Sequence, residues 1–180
     1  TPTQTASLGT GRTAVALSTG GYQTCAILDD GSVSCWGYNT FGGLGDGTNT
    51  SRSTPTQTSS LGTNRTAVSL SSGNTHSCAI LDNGSVSCWG SGGIGQLGNG
   101  GTSGSTTPTL ISSLGANRTV ALSERDFDND GILNIFDVHQ NLDQRESTIS
   151  SGQYHTCAIL DDGSVSCWGD NGNGQLGDGT

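Results

Sequence analysis

Two sets of residues in this chain could do chemistry: a run of alternating carboxylates and three cysteine pairs of identical internal spacing. The run reads D-F-D-N-D-G-I-L-N-I-F-D, from Asp126 to Asp137. A calcium-coordinating loop supplies about six to eight oxygens from alternate side chains, one backbone carbonyl and a closing carboxylate, with glycine at the sharp turn. On that template Asp126, Asp128, Asp130, Asn134 and Asp137 are side-chain ligands, Ile132 offers its carbonyl, and Gly131 makes the turn. The plain alternative is an acidic, solvated loop. Three alternating aspartates followed by Gly, Asn and Asp at the required offsets is a demanding coincidence for such a loop. The expected cofactor is one structural Ca2+.

The cysteines lie in a stretch that occurs three times. C-A-I-L-D-D-G-S-V-S-C-W-G spans Cys25 to Gly37, recurs at Cys157 to Gly169, and recurs with Asn83 for Asp30 at Cys78 to Gly90. Asp29-Asp30-Gly31 is turn chemistry between two β-prone runs, with Gly31 taking the left-handed position of a three-residue hairpin loop. That register sets Leu28 opposite Ser32, Ile27 opposite Val33, Ala26 opposite Ser34 and Cys25 opposite Cys35. The cysteines then fall on a non-hydrogen-bonded rung, where side chains are closest. The predicted disulfides are Cys25–Cys35, Cys78–Cys88 and Cys157–Cys167, each contributing about 3 kcal/mol in the chain-entropy view.

No other constellation is reactive. His76 and His155 stand at a position that is Gln23 in the first copy, so a hydrogen-bonding role is expected rather than a catalytic one. His139 reads as a surface residue. The glycine loops lack the G-K-[ST] of a phosphate cradle, and no G-x-S-x-G elbow occurs. Trp36, Trp89 and Trp168 share one repeat position and are expected to pack between units. The chain is predicted not to be an enzyme.

The elements that must position these residues follow from self-comparison. T-P-T-Q-T at Thr1 returns at Thr54, 53 residues on, as Cys25 returns at Cys78. Cys157 follows Cys78 by 79 residues, which is 53 plus an insertion of 26. The repeats are therefore 1–53, 54–106 and 107–180, the last carrying the calcium-loop insertion at about 124–147. One repeat reads as four short strands: Thr1 to Leu8, Arg12 to Ser18, Tyr22 to Leu28 and Ser32 to Trp36. The fold class is all-β, with three four-stranded propeller-blade repeats, open or part of a larger propeller or assembly. Only 30% of the residues are hydrophobic and 30 are glycine, which suits thin layers between blades better than one oily core.

The pattern G-x-x-H-T-C-A-I-L-D-D-G-S-V-S-C-W-G-x-N-x-x-G-Q-L-G-x-G, fullest at Gly152 to Gly179, resembles the regulator of chromosome condensation repeat. The resemblance covers the chain except the insertion and implies a β-propeller, which in that family usually has seven blades. It does not imply the founding member's nuclear exchange activity. The cysteine pair is similar to secreted bacterial versions of the repeat, which serve surface and binding roles. The insertion resembles dockerin and thrombospondin type 3 calcium loops, and departs from the EF-hand in ending on Asp rather than Glu.

Charge and location follow. The net charge is −9 with no Lys, which argues against nucleic acid or an anionic membrane as partner. No apolar run approaches membrane-spanning length, so no membrane insertion is expected. Paired cysteines point to an oxidising, extracellular or cell-surface location. Asn49, Asn64, Asn83 and Asn117 head N-x-S/T sequons and are glycosylation candidates. The last hairpin lacks a following T-P-T-Q-T strand, which the start of the chain could supply to a neighbour. The expected role is structural or adhesive, in a head-to-tail homo-oligomer or filament completed by strand exchange. The runner-up is a secreted binding module, a protein inhibitor or carbohydrate binder.

Overall fold

The computed structural model describes residues 4–114, 120, 149–160, 164–172 and 176–178. Its strands are β1 (Ala14–Thr19), β2 (Gln23–Leu28), β3 (Val33–Gly37), β4 (Arg52–Gln57), β5 (Ala67–Ser72), β6 (His76–Leu81), β7 (Val86–Gly90), β8 (Ser105–Leu110), β9 (Ile149–Ser151), β10 (His155–Ile159) and β11 (Val165–Gly169). They form three antiparallel sheets in simple order: β1-β2-β3-β4, β5-β6-β7-β8 and β9-β10-β11. The architecture is all-β, three blades of a propeller.

The hairpin turn has the expected register. Ile27 faces Val33, Ala26 faces Ser34 and Cys25 faces Cys35. Leu28 N–H donates to the Ser32 carbonyl and Gly31 N–H to the Leu28 carbonyl, at 2.8 and 2.9 Å. Gly31 has φ +75°, the left-handed conformation that a Cβ disfavours.

The T-P-T-Q-T strand needs one correction. Thr54 to Gln57 of its second copy lie within β4, which pairs with β3 and so closes the first blade from outside. Gln4 to Leu8 carry no strand, although Thr1 to Leu8 is a predicted one. The reason is that this segment is an outer edge strand: β4 exists because β3 offers it a ladder, and Gln4 to Leu8 have no such partner among the described residues. The ladder is irregular between Cys35 and Gly37, whose partners are Thr56 and Arg52. Pro55 falls inside that irregular span, where its missing N–H removes no ladder bond.

The core lies between blades rather than within one sheet. Side chains of a strand alternate faces. Cys25 and Ile27 join Leu61, Leu70, Ala79, Leu81 and Trp89 in one cluster, and Cys78 and Ile80 join Val120, Ile149 and Ala158 in the next. Strands β1, β5 and β9 lie side by side. Ser72 N–H donates to Ser18 Oγ at 2.9 Å and Ser151 N–H to Ser71 Oγ at 2.6 Å, linking neighbouring blades.

Candidate functional site

Each blade contains one disulfide: Cys25–Cys35, Cys78–Cys88 and Cys157–Cys167, with Cα atoms 4.1 Å apart in every case. All six cysteines are paired, which implies a non-reducing environment. Each of the first two cystines faces the next blade. Cys25 Sγ lies 3.7 Å from Ser77 Oγ, and Cys78 Sγ lies 3.9 Å from Thr156 Oγ1.

The histidine position is a second inter-blade link. Gln23 Nε2 donates to the carbonyls of His76 and Gly73 at 3.0 and 3.3 Å. His76 is fully buried and its Nε2 shares a 2.9 Å hydrogen bond with Thr156 Oγ1. Burial, and then the neighbouring His155, push its pKa down to about 4, so the ring is neutral. Trp89 and Trp168 pack between blades, each against a glycine of the blade before, while Trp36 in the first blade is half-buried. Trp89 is fully buried and its indole N–H donates to the Gly43 carbonyl at 2.9 Å. Gly45 has φ +69°, and a Cβ there would come within 2.8 Å of the Trp89 ring.

The two ends of the blades differ in chemistry. At the β2–β3 end, Arg12 pairs with Asp29 at 3.3 Å and Asp30 at 2.6 Å, and Arg65 with Asp82 at 3.2 Å. At the opposite end, the β1–β2 and β3–β4 loops present Tyr22, Tyr38 and Phe41, exposed by 64, 40 and 51%. Their ring centroids are 5.8 and 6.2 Å apart in sequence. Tyr38 N–H donates to the Tyr22 carbonyl at 2.9 Å, so one backbone bond joins the two loops.

The loop behind these rings is stitched from inside. Asn39, fully buried, donates through Nδ2 to the Thr48 and Thr50 carbonyls at 3.0 and 3.1 Å and to Asp46 Oδ1 at 3.1 Å. Its Oδ1 accepts the Leu44 N–H at 2.9 Å. Arg52 reaches Asp46 Oδ2 at 3.0 Å. Burial works against ionisation of Asp46, but hydrogen bonds from Thr48, Arg52 and Asn39 outweigh it and hold the carboxyl below its ordinary value. The repeat pattern marks the Asn39 position as a letter, matched by Asn171, without giving its role; the aromatic cluster was not singled out, and two tyrosines in glycine-flanked loops were the available signal.

The sequence-predicted metal ligands Asp126, Asp128, Asp130, Ile132, Asn134 and Asp137 lie outside the described residues, as does the sequon residue Asn117. Asn49, Asn64 and Asn83 are exposed. Asn49 Nδ2 donates to the Thr40 carbonyl at 2.8 Å, and Asn83 Oδ1 accepts from Ser85 N and Oγ at 3.2 and 2.7 Å. Asn64 has φ +53° in its turn.

The family profile described as "Regulator of chromosome condensation (RCC1) repeat" matches residues 14–42, 67–96 and 147–175, and a second profile of the same description matches 30–80 and 83–123. The chain belongs to the RCC1 repeat family. This RCC1-repeat chain is 30% identical over 166 residues to the E3 ubiquitin-protein ligase HERC2 of Homo sapiens, covering 92% of itself and 3% of that protein. It is 32% identical over 167 residues to the ultraviolet-B receptor UVR8 of Arabidopsis thaliana, covering 92% of itself and 32% of UVR8. Among solved structures it resembles Prp20p of Saccharomyces cerevisiae, with TM-score 0.65 and 22% identity, over 90% of this chain and 33% of that one. Human WBSCR16 matches with TM-score 0.55 and 18% identity, over 93% and 50% of the two chains. The chain thus spans a third or less of the length of HERC2 and UVR8.

Proposed function

We propose that this RCC1-repeat chain is a non-enzymatic extracellular or cell-surface module with a structural or adhesive role, built into a larger assembly through the two outer faces of its blade stack. The observation that carries this reading is a mismatch between equivalent positions. Leu70, facing blade 1, is 7% exposed, whereas Leu17, its equivalent in the first blade, is 66% exposed. Val33 and Val86 are each 1% exposed, whereas Val165 in the third blade is 64% exposed. Each outer face therefore has the form of one half of an inter-blade contact, and exposed apolar surface of this kind marks an interaction site. The two halves are complementary, so a second copy of the chain docks head to tail, as a ring or filament. In a longer propeller the next blade takes the same place.

Strand exchange fits the same geometry. β3 and β7 are covered by β4 and β8, while β11 has no outer partner among the described residues. The segment Thr1 to Thr5 repeats Thr54 to Thr58 letter for letter and is the natural strand to add there. The experiment is sedimentation velocity across a concentration series. Head-to-tail association is expected, blocked by Leu17→Asp or by deletion of Thr1 to Leu8. A monomer at all concentrations, or assembly indifferent to both changes, refutes it.

The insertion is read as a Ca2+ site formed by Asp126, Asp128, Asp130, Ile132, Asn134 and Asp137, which would lend rigidity to the third repeat. Calorimetry on chelator-stripped protein should show one binding event; none would refute the site. Neither nucleic acid nor a lipid bilayer is proposed as a partner; glycans on the sequons are compatible with the extracellular setting. The exposed rings of Tyr22, Tyr38 and Phe41 favour a second reading, in which the loop face binds a partner.

A further inference from the structure

Within the described residues, all tyrosines and phenylalanines gather at one end of the blades. Tyr22 and Tyr154 occupy the same loop position in blades 1 and 3, Tyr38 and Phe41 lie in the β3–β4 loop, and all four are at least 40% exposed. The same position in the inner blade is Thr75, which is half-buried. Tyr154 has a blade before it and is still 40% exposed. The tryptophans show the opposite preference, since Trp89 is fully buried and Gly98 sits against the Trp168 ring.

The same end of blade 1 is electrically quiet. Its carboxylate, Asp46, has a side chain only 2% exposed and is neutralised by Arg52 at 3.0 Å. The exposed charge of that blade lies at the other end, where Arg12 pairs with Asp29 and Asp30. Around the rings stand neutral hydrogen-bonding groups instead: Thr40, next to Phe41 in the chain, and Asn49, which donates to the Thr40 carbonyl, are both exposed. The rings are held in place before any ligand arrives. Asn39 stitches their loop from beneath, and the Tyr38 N–H ties it to Tyr22. Preorganised aromatic groups lose little freedom on binding.

We propose that the loop face centred on Tyr22, Tyr38 and Phe41 binds a neutral oligosaccharide. This rests on the second reading above and names its ligand class. A pyranose offers C–H faces that pack on exposed rings and hydroxyls that need neutral donors and acceptors. An anionic polymer would find no free cation here, on a chain of net charge −9. A cationic peptide would find the one carboxylate of the blade's loop already paired. The blades divide the work. The pair joined as Tyr38 to Tyr22 in blade 1 is Ser91 to Thr75 in blade 2 and Asp170 to Tyr154 in blade 3, so blade 1 carries the main platform.

The test is calorimetric titration of the whole chain with cellohexaose, xylohexaose, mannohexaose, laminarihexaose and chitohexaose, beside polygalacturonate as an anionic control. At least one neutral hexaose is expected to bind, and Tyr38→Ala and Tyr22→Ala are each expected to weaken it about tenfold. The melting temperature of both variants should stay near that of the parent, because both rings are exposed. Silence with every neutral sugar, preference for polygalacturonate, or binding unchanged in the double variant overturns the proposal. If the sugars are silent but a protein ligand is lost on Tyr38→Ala, the sugar is wrong while the loop-face reading stands. Sedimentation of the same samples reports head-to-tail association separately.

Discussion

Blades 1 and 2 carry nearly the same hairpin and leave it by different routes. Cys25 to Gly37 and Cys78 to Gly90 differ only at Asp30 and Asn83, and their ladders match rung for rung. The loops that follow make the same turns: Gly42 and Gly45 bond back to Asn39 and Gly42, as Gly95 and Gly98 bond back to Gly92 and Gly95. Their stitching differs. Blade 1 uses Asn39, Asp46 and Arg52, where blade 2 has Gly92, Asn99 and Ser105. In blade 2 Gln96 takes over, accepting from Ile94 N–H at 3.0 Å and donating to Ser91 Oγ at 3.3 Å. One backbone path can thus be fixed by unrelated side chains, which frees the loop surface to vary while the hairpin repeats.

The largest effect should come from the tryptophans. Trp89→Ala removes a fully buried ring and its bond to Gly43, and should cost about 3–5 kcal/mol in denaturant unfolding. Trp36→Ala, at the same position on a half-buried ring, should cost clearly less. Equal losses would break the distinction between an inner and an outer blade face.

The cystines come next. Replacing Cys78 and Cys88 by serine should cost about 2–4 kcal/mol. The pair Cys25 and Cys35 closes a loop of the same length, with a sequence separation of 10 in each, so the chain-entropy contribution should match. A loss much larger for Cys78–Cys88 would show that contact with the third blade matters more than loop closure.

Acid sharpens the comparison at Gln23 and His76, which share a repeat position. His76 is held near pKa 4 in the fold, against an ordinary value of 6.5. Between these values the unfolded chain binds a proton that the folded chain refuses. Stability from this group is complete above about pH 6.5 and falls as pH drops toward 4, by roughly 3 kcal/mol in all. His76→Gln gives blade 2 the side chain of blade 1 and should flatten that slope in melts from pH 7 to pH 4. An unchanged slope would assign the acid sensitivity elsewhere.

The smallest effects belong to the stitches. Asn39→Ala strands the Leu44 N–H and loosens Asp46, at a cost of about 1–3 kcal/mol. Gln96→Ala should cost about 1 kcal/mol, because it makes fewer and longer bonds. The reverse order in chemical denaturation would overturn the ranking of the two loops.

Local chemistry was legible in the letters. The turn glycine, the rung of the cysteines and the 53-residue period needed no distant contact to be read. The outer strand was half legible: Thr54 to Gln57 lie in β4, yet Gln4, the equivalent of Gln57, is in no strand. A threonine-rich segment forms a strand only where a neighbour's unpaired ladder awaits it, and sequence does not report neighbours.

The sequence by itself determined the hairpins, their disulfides and the number of blades, because turn geometry and side-chain alternation act over a few residues. Tertiary structure alone decided which face of each hairpin meets the next blade, that Asn39 is buried at the centre of its loop, and that Tyr22, Tyr38 and Phe41 meet on one neutral surface. The first depends on groups far apart in the chain, brought together only when blades pack on one another; the other two form inside blade 1, when its hairpin brings two loops to one end.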